Sequence, residues 1–257
     1  MIFRIITQFI DSILTFLRVP AFIRDHQLWK GFAKHKLVVF AMMLIGVLLS
    51  LRLMSIVMDW WSQLDVSDPL QAGKETTALI AELATGGYEL MFAGAYKYMV
   101  LIIMEMLIFH MTLRTHEILD GRTESLTPGI FLKAQIRMIK VSVFIFAMEL
   151  LVSIGAKAVL AIFGLSFFKG VVLLLIQSFF LGFALIDNYN EIHHLSIRDS
   201  YRNTLRFTGV AAGIGMILYL LILIPLIGPV VGPMIGAIAA TLIMHKLDDN
   251  SPQTMTI

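Results

Sequence analysis

The chain has 257 residues, of which 58% are hydrophobic and only 15% are charged. This composition, with a mean hydropathy of +0.84, differs strongly from that of a soluble domain and indicates a polytopic membrane protein. The net charge of +2 is too small to suggest nucleic-acid binding, and the lack of cysteine excludes disulfides, zinc–thiolate sites and thiol catalysis. The N-terminus lacks a long apolar run followed by small residues, so we expect no cleavable signal.

Residues 1–18 predict an amphipathic helix. Apolar residues recur at positions 2, 5, 6, 9, 10, 13, 14 and 17, with polar residues at most positions between them. We expect this helix to lie in the membrane interface. A soluble core helix is the alternative, although little soluble protein is evident for it to cover. Pro20 is predicted to end the helix, and a basic connector follows from Arg24 to Lys36.

Two long transmembrane helices are predicted next, at residues 37–58 and 88–113. Each is long enough to cross a hydrocarbon core of about 30 Å, which takes about 20 residues. A first helical hairpin is predicted at 141–186, with its turn at 166–170. Its returning arm is so short that it would barely cross the hydrocarbon core. Residues 187–206 are predicted to form a polar loop.

A second hairpin is predicted at 207–244, which holds 38 residues without a charged side chain. Proline breaks helices, so the first arm should stop near Ile224 and the chain should return from about Val230. Small residues at four-residue spacing let helices approach closely, and the predicted packing residues are Gly209, Gly213, Pro225, Gly228, Pro229, Gly232, Pro233 and Gly236. Residues 245–257 are predicted to be a polar tail of this single, all-α membrane domain. Small-residue faces on both hairpins also suggest a homo-oligomer.

The distribution of Lys and Arg predicts the orientation. If the N-terminus is inside, thirteen of these residues fall in inner connectors and only Lys74 and Lys169 in outer ones. The positive-inside rule then places both termini in the cytoplasm, as expected for a multi-pass protein of the cytoplasmic (inner) membrane.

Charged residues within the predicted spans are candidates for a substrate path. At about 1.5 Å per residue, the cations Lys97 and Lys157, with Arg52, are predicted to share an outer level, and Glu105 and Glu149 an inner one. This arrangement would form a polar path with a cationic outer mouth, suited to an anion. Alternatively, the cations extend outward to the interface and the carboxyls are protonated or hydrogen-bonded between helices; we favour that interpretation for Arg52.

No enzymatic site is evident. His110 and His116 are six residues apart and His193 and His194 are adjacent, and neither spacing fits a metal site on one helix face. We interpret them as interfacial histidines, and we expect no catalytic residue, metal or cofactor.

Several short motifs stand in the last part of the chain: Ile224-Pro225-Leu226-Ile227, Pro233, Ala239-Ala240-Thr241-Leu242, Phe183 to Tyr189 and Ser196 to Arg202. In these motifs the chain resembles the CysZ-type sulfate transporter family, the membrane proteins grouped with the etoposide-induced protein. The resemblance implies hairpins that penetrate only part of the bilayer, and passage of a small, sulfate-like anion through a permease or channel. The alternative is a non-transporting scaffold or assembly factor of the same fold.

A turn after the first helix of the sulfate-transporting members, with a Gly-Leu-Arg-Arg-like sequence, is implicated in binding sulfate. The matching region here, His26 to Phe32, keeps only Leu28 and the cation Lys30. Because lysine lacks the planar fork of arginine, sulfate specificity does not follow from this turn. Arg24, Lys30 and Lys34 are therefore candidates for binding either an anion or anionic lipid headgroups of the bilayer.

Overall fold

A computed structural model describes residues 2–28, 96–121, 128–224 and 227–249. All the regular elements in these ranges are helices: α1 (Ile2–His26), α2 (Tyr96–Asp120), α3 (Pro128–Ile162), α4 (Lys169–Ile192), α5 (Ile197–Arg206), α6 (Thr208–Ile222) and α7 (Gly228–Asp249), with a short 3-10 turn at Ser166–Phe168. The predicted span at 37–58 with Arg52, and also Lys30, Lys34 and Pro225, lie outside these ranges. The all-α prediction is confirmed for the described part of the chain.

Among the described residues, four helices are long and apolar enough to cross a membrane: α1, α3, α4 and α7. The successive helices α5 and α6 would provide a fifth span if taken together, although they meet at an angle of 97°. These lengths and compositions are compatible with a multi-pass membrane protein.

Helix α6 lies between α1 and α4, and glycines line both of its contacts. On one side, a Cβ atom at Gly209 would collide with the Ile5 carbonyl oxygen, and one at Gly213 with the Ser12 hydroxyl. On the other side, a Cβ atom at Gly215 would collide with the backbone of Ser178 in α4. Small residues thus bring three helices into backbone contact. The pair Gly209 and Gly213 packs against the N-terminal helix.

Helix α1 attaches to the bundle through polar as well as apolar positions. Gln8 and Ser12 are buried together with Phe16 and Val19, and Gln8 Oε1 accepts a hydrogen bond of 3.3 Å from the Gly209 amide. The exposed side carries the large apolar residues Phe3, Ile6, Ile10, Leu14 and Leu17. The helix is therefore held by the side that includes polar groups and leaves much of its apolar side uncovered within the described structure.

The prediction that Pro20 ends this helix is wrong, since α1 continues to His26 with Pro20 inside it. Proline removes one backbone hydrogen bond. Phe16 and Val19, in the preceding turn, are buried against the bundle, and we attribute the continuation of the helix to this packing.

The second hairpin forms close to where its prolines predict. Helix α6 ends at Ile222 and α7 begins at Gly228, whose amide donates to the Ile224 carbonyl at 2.9 Å. Pro229 lies in the first turn of α7 and Pro233 inside the helix. A Cβ atom at Gly232 would lie 3.2 Å from Leu221 Cβ, and one at Gly236 would lie 2.6 Å from Leu185 Cδ1. The small-residue side of α7 thus packs against α6 and α4.

Two predicted irregular segments prove to be partly helical. Residues 187–192 are the last turns of α4, and most of the remaining predicted loop is α5, capped by Ser196, whose hydroxyl accepts from the Asp199 amide at 3.2 Å. At the other end of the hairpin, residues 245–249 continue α7. Polar composition suggested irregular structure, but several of these side chains have partners on neighbouring helices, which allows them to lie within a packed bundle.

Candidate functional site

A buried ion pair joins α2 to α3. Lys97 Nζ lies 2.5 Å from Glu149 Oε1 and 3.3 Å from Gln177 Oε1 of α4. The Tyr98 hydroxyl donates to the second carboxylate oxygen, Glu149 Oε2. All four residues are at most 5% exposed. A lysine and a glutamate therefore neutralise each other inside the bundle, enclosed by two polar neighbours.

This pairing contradicts the predicted separation of cations and carboxylates into two levels. Lys97 lies level with Glu149, whereas Lys157 is eight residues beyond Glu149, about 12 Å farther along α3. The predicted levels were counted from the expected ends of the spans, but α3 begins at Pro128 and has 35 residues. Its position relative to α2 therefore differs from the expected one, and the predicted cationic outer mouth is not formed by Lys97.

Glu105 lies two turns beyond Lys97 on α2 and faces a second polar group. It is 1% exposed, and its electrostatic neighbours are Asn188, Asp187 and Glu191 of α4 and Arg137 of α3. Within the described ranges, neither carboxyl oxygen of Glu105 has a hydrogen-bonding partner. Glu105 is thus a buried acid without the kind of counter-ion contact that Glu149 has.

The arginine in this second group is held on three sides. Arg137 Nε and Nη2 each lie 2.9 Å from an Asp187 carboxylate oxygen, and Nη1 donates to the Leu195 carbonyl at 2.7 Å. Glu191 lies 3.6 Å away. Asp187 falls at the start of the segment that was predicted to be a polar loop. The fork geometry of the guanidinium instead joins α3 to the end of α4.

A third polar group contains histidines from three helices. His116 of α2 lies with its ring centroid 5.0 Å from that of His193 and 6.2 Å from that of His245. Asp120 is 2.8 Å from His245 Nε2 and 3.6 Å from His116 Nε2. In the described ranges, no group of three or more His, Asp or Glu side chains is arranged to hold a metal ion.

The sequence analysis considered two of these histidines but not their assembly. Spacing along one helix was the only signal used, and His116, His193 and His245 come from α2, the end of α4 and α7. These three helices run in the same direction, and the residues come together because each lies at the C-terminal end of its helix. Tyr189 extends the group, because its hydroxyl donates to Asp248 at 2.8 Å.

Two charged candidates in the described structure remain, and one of them is Lys157, which is half-buried on α3 eight residues beyond Glu149. Arg24 is exposed and its Nε is 3.2 Å from its neighbour Asp25. The described structure therefore gives Arg24 no part in the buried groups.

The three groups follow one another along α2, from Lys97 through Glu105 to His116, a distance of about 28 Å at 1.5 Å per residue. Ionisable side chains inside apolar bundles of membrane proteins mark ion and proton pathways. We call this set the polar column, with the Lys97 group at one end and the histidine group at the other. Comparisons of the chain with protein-family models, curated proteins and solved structures find no match.

Proposed function

We propose that the protein is a permease or channel that carries a small, sulfate-like anion across the cytoplasmic membrane. The observation that carries this proposal is the buried Lys97–Glu149 pair. Burying two charges costs free energy, and well-packed apolar residues of similar size often give equal or greater stability. A charge pair kept inside apolar helices is therefore better explained by a role in moving charge than by stability alone.

The contacts of Lys97 suggest how an anion would bind. At rest, Glu149 is the counter-ion of the ammonium group. An entering anion would replace the Glu149 carboxylate at Lys97 Nζ, so that the lysine keeps a negative partner. The Tyr98 hydroxyl, which donates to Glu149 at rest, would then be free to donate to the anion. The replacement keeps Lys97 paired, and the displaced Glu149 carboxylate would have to take up a proton, because an unpaired buried charge would cost about 3–5 kcal/mol.

Two further observations agree with this proposal. The C-terminal motifs resemble those of the CysZ-type family, and Lys and Arg concentrate on one side of the predicted topology. The two ends of the described chain lie at the histidine end of the column, because Arg4 donates to the Arg206 carbonyl and Asp248 contacts Tyr189. We therefore propose that this end faces the cytoplasm, with the protein in the inner membrane as a homo-oligomer.

The rival function is a scaffold or assembly factor that moves no substrate. The specific observation in its favour is that the Lys97 group is closed: its charges are paired and its residues buried. In that case the pair would serve to align α2 and α3, as buried polar groups do in some proteins.

Uptake of radiolabelled sulfate into liposomes containing the purified protein separates the two functions. We expect Lys97→Met with Glu149→Gln to abolish uptake, because this double variant removes the anion site while keeping the buried charge neutral. The matched control is Lys169→Met, which removes one exposed cation at the start of α4. We expect it to keep uptake within about twofold of the unmodified protein, since surface charge changes have small effects.

Size-exclusion chromatography in detergent verifies that both variants remain folded. Uptake by the double variant equal to that of the unmodified protein would contradict a role for Lys97. A folded, unmodified protein that takes up no sulfate and none of a panel of small anions would favour the scaffold.

A further inference from the structure

Glu105 is a buried acid of the polar column, and its carboxyl group lacks hydrogen-bonding partners among the described residues. Both of its oxygens are buried and, in the part of the chain that the structure describes, neither receives a hydrogen bond. A carboxylate accepts hydrogen bonds only, and a buried charge without a partner carries a large desolvation cost. An ionised Glu105 in this position would have to lack both a counter-ion contact and a donor.

Asn188 is the side chain placed to hydrogen-bond with Glu105, although the two do not reach full hydrogen-bond geometry. The Asn188 amide nitrogen donates to the Ala184 carbonyl at 3.3 Å. Its Oδ1 atom is buried and, among the described residues, lacks a hydrogen-bonding partner. A donor placed between the two side chains would satisfy Asn188 Oδ1 and one of the two Glu105 oxygens.

The other groups around Glu105 do not supply a cation that pairs with it. Asp187 and Glu191 of α4 are acids, and their coulombic effect disfavours an ionised Glu105. Arg137 of α3, the nearby cation, directs its donors to Asp187 and the Leu195 carbonyl. Helix α7, which packs along α2, has charged or titratable residues only from His245 to Asp249. In the described ranges an ionised Glu105 would therefore be buried without an ion pair.

We propose that Glu105 holds a bound proton, and that the resulting hydroxyl donates to Asn188 Oδ1. The step is a simple addition: a carboxylate and a proton give a neutral carboxylic acid, and the new O–H joins one Glu105 oxygen to Asn188 Oδ1 in a hydrogen bond. Neutralisation also removes the unfavourable effect of the neighbouring acids Asp187 and Glu191 on a charged Glu105. The second Glu105 oxygen is then the carbonyl of a neutral acid, which costs less to bury without a partner than a charged carboxylate does.

This site extends the proposed function, because a proton carrier between the Lys97 group and the histidine group would let anion movement be coupled to proton movement. That coupling depends on the proposed transport. The bound proton does not, since it follows from the contacts of Glu105 alone. The experiment is therefore chosen to detect the proton directly.

Infrared spectroscopy of the purified full-length protein in liposomes at neutral pH detects the carbonyl stretch of a protonated carboxyl group. We expect a band of this kind that moves in heavy water, as an exchangeable acid should, and that is lost in Glu105→Gln. The matched control is Glu117→Gln, on the same helix, where the carboxylate is 2.6 Å from Arg114 Nη1. The control variant should keep the band.

A second variant tests the hydrogen bond and serves if Glu105→Gln does not fold. Replacing Asn188 with leucine removes the acceptor, so the Glu105 band should shift in frequency. Absence of any protonated-carboxyl band in the unmodified protein, or its persistence in folded Glu105→Gln, would overturn the proposal. Spectra are recorded in sodium and in choline buffers. A band that appears only in choline would mean that sodium displaces the proton from Glu105, and would assign the site to sodium instead. A failure of sulfate uptake would leave these spectra unaffected.

Discussion

The two halves of α4 differ in what they bury: the first half exposes apolar residues, whereas the second half buries polar ones. In its first half, the apolar residues Val171 and Leu175 are exposed, and the preceding turn exposes Phe167 and Phe168. In its second half, every residue from 181 to 190 is buried, including Asp187, Asn188 and Asn190. Helix α3, the other arm of the hairpin, changes in the same way: none of its residues beyond Glu149 is buried by the described structure.

In a soluble protein such large apolar surfaces would be covered and polar side chains would mostly face water. In a bilayer, lipid tails are as apolar as leucine, so apolar side chains gain little by facing other helices. Helix contacts then depend on small residues and on polar groups that need partners. The comparison predicts that the tip of the α3–α4 hairpin, residues 150–175, faces lipid, whereas the second half of α4 belongs to a packed interior.

The largest effect on the free energy of unfolding is expected when a charge is removed from the packed half. Replacing Arg137 with alanine leaves the Asp187 carboxylate buried without its bidentate partner. We expect a loss of about 3–5 kcal/mol in the free energy of unfolding, because one charge of a buried pair is then uncompensated. Thermal unfolding in detergent measures the change.

Arg202→Ala is the control for that variant. Arg202 lies on α5, and its ion pair with Asp199 is long, at 4.0 Å, and exposed. We expect a change of about 0–1 kcal/mol. Equal losses for the two arginine variants would contradict the distinction between interior and surface.

An intermediate effect is expected at the glycine contact between α4 and α6. Gly215→Ala places a Cβ atom against the Ser178 backbone, so the helices must separate. We expect a loss of about 1–3 kcal/mol, typical of overpacking, measured by the same unfolding assay. Gly155→Ala is the matched control, because a Cβ atom there meets nothing within 4 Å. A control that is as destabilised as Gly215→Ala would show that the hairpin tip is packed.

The smallest effect is expected at the exposed tip. Leu151 is 64% exposed, so Leu151→Ala should change the free energy of unfolding by no more than about 0.5 kcal/mol. The assay compares detergent-solubilised protein at low and high concentration. A loss above about 1 kcal/mol that appears only at high concentration would mean that a second copy covers this surface, and would support the predicted homo-oligomer.

The helices and the break of the second hairpin could be predicted from sequence because their signals are local. A run of uncharged residues ends at prolines, and the observed break falls between Ile222 and Gly228. The polar residues after Ile186 were assigned to a loop because composition does not reveal partners. Asp187 is bound by a residue 50 positions earlier, and Asn190 bonds to Ser200 of α5.

The candidate site was only partly predictable for the same reason. The sequence identified Lys97, Glu105 and Glu149 as unusual residues in apolar helices, and all three are buried. Their pairing depends on how far α2 and α3 are offset, which composition and periodicity do not determine. The histidine group was not predicted, since its members belong to three helices and the contacts that join those helices are not local.

The contact between Gly209 and α1 has a consequence for the order of folding. The Gly209 amide bonds to a side chain 201 residues earlier, so α1 cannot complete its packing until α6 has been made. During synthesis the Gln8 side chain has to be satisfied by water, lipid headgroups or another protein, whereas the Ser12 hydroxyl donates to the Phe9 carbonyl of its own helix. Docking of α1 onto α6 is therefore a late step, and a chain shortened before residue 208 would lack the surface on which its own N-terminal helix rests.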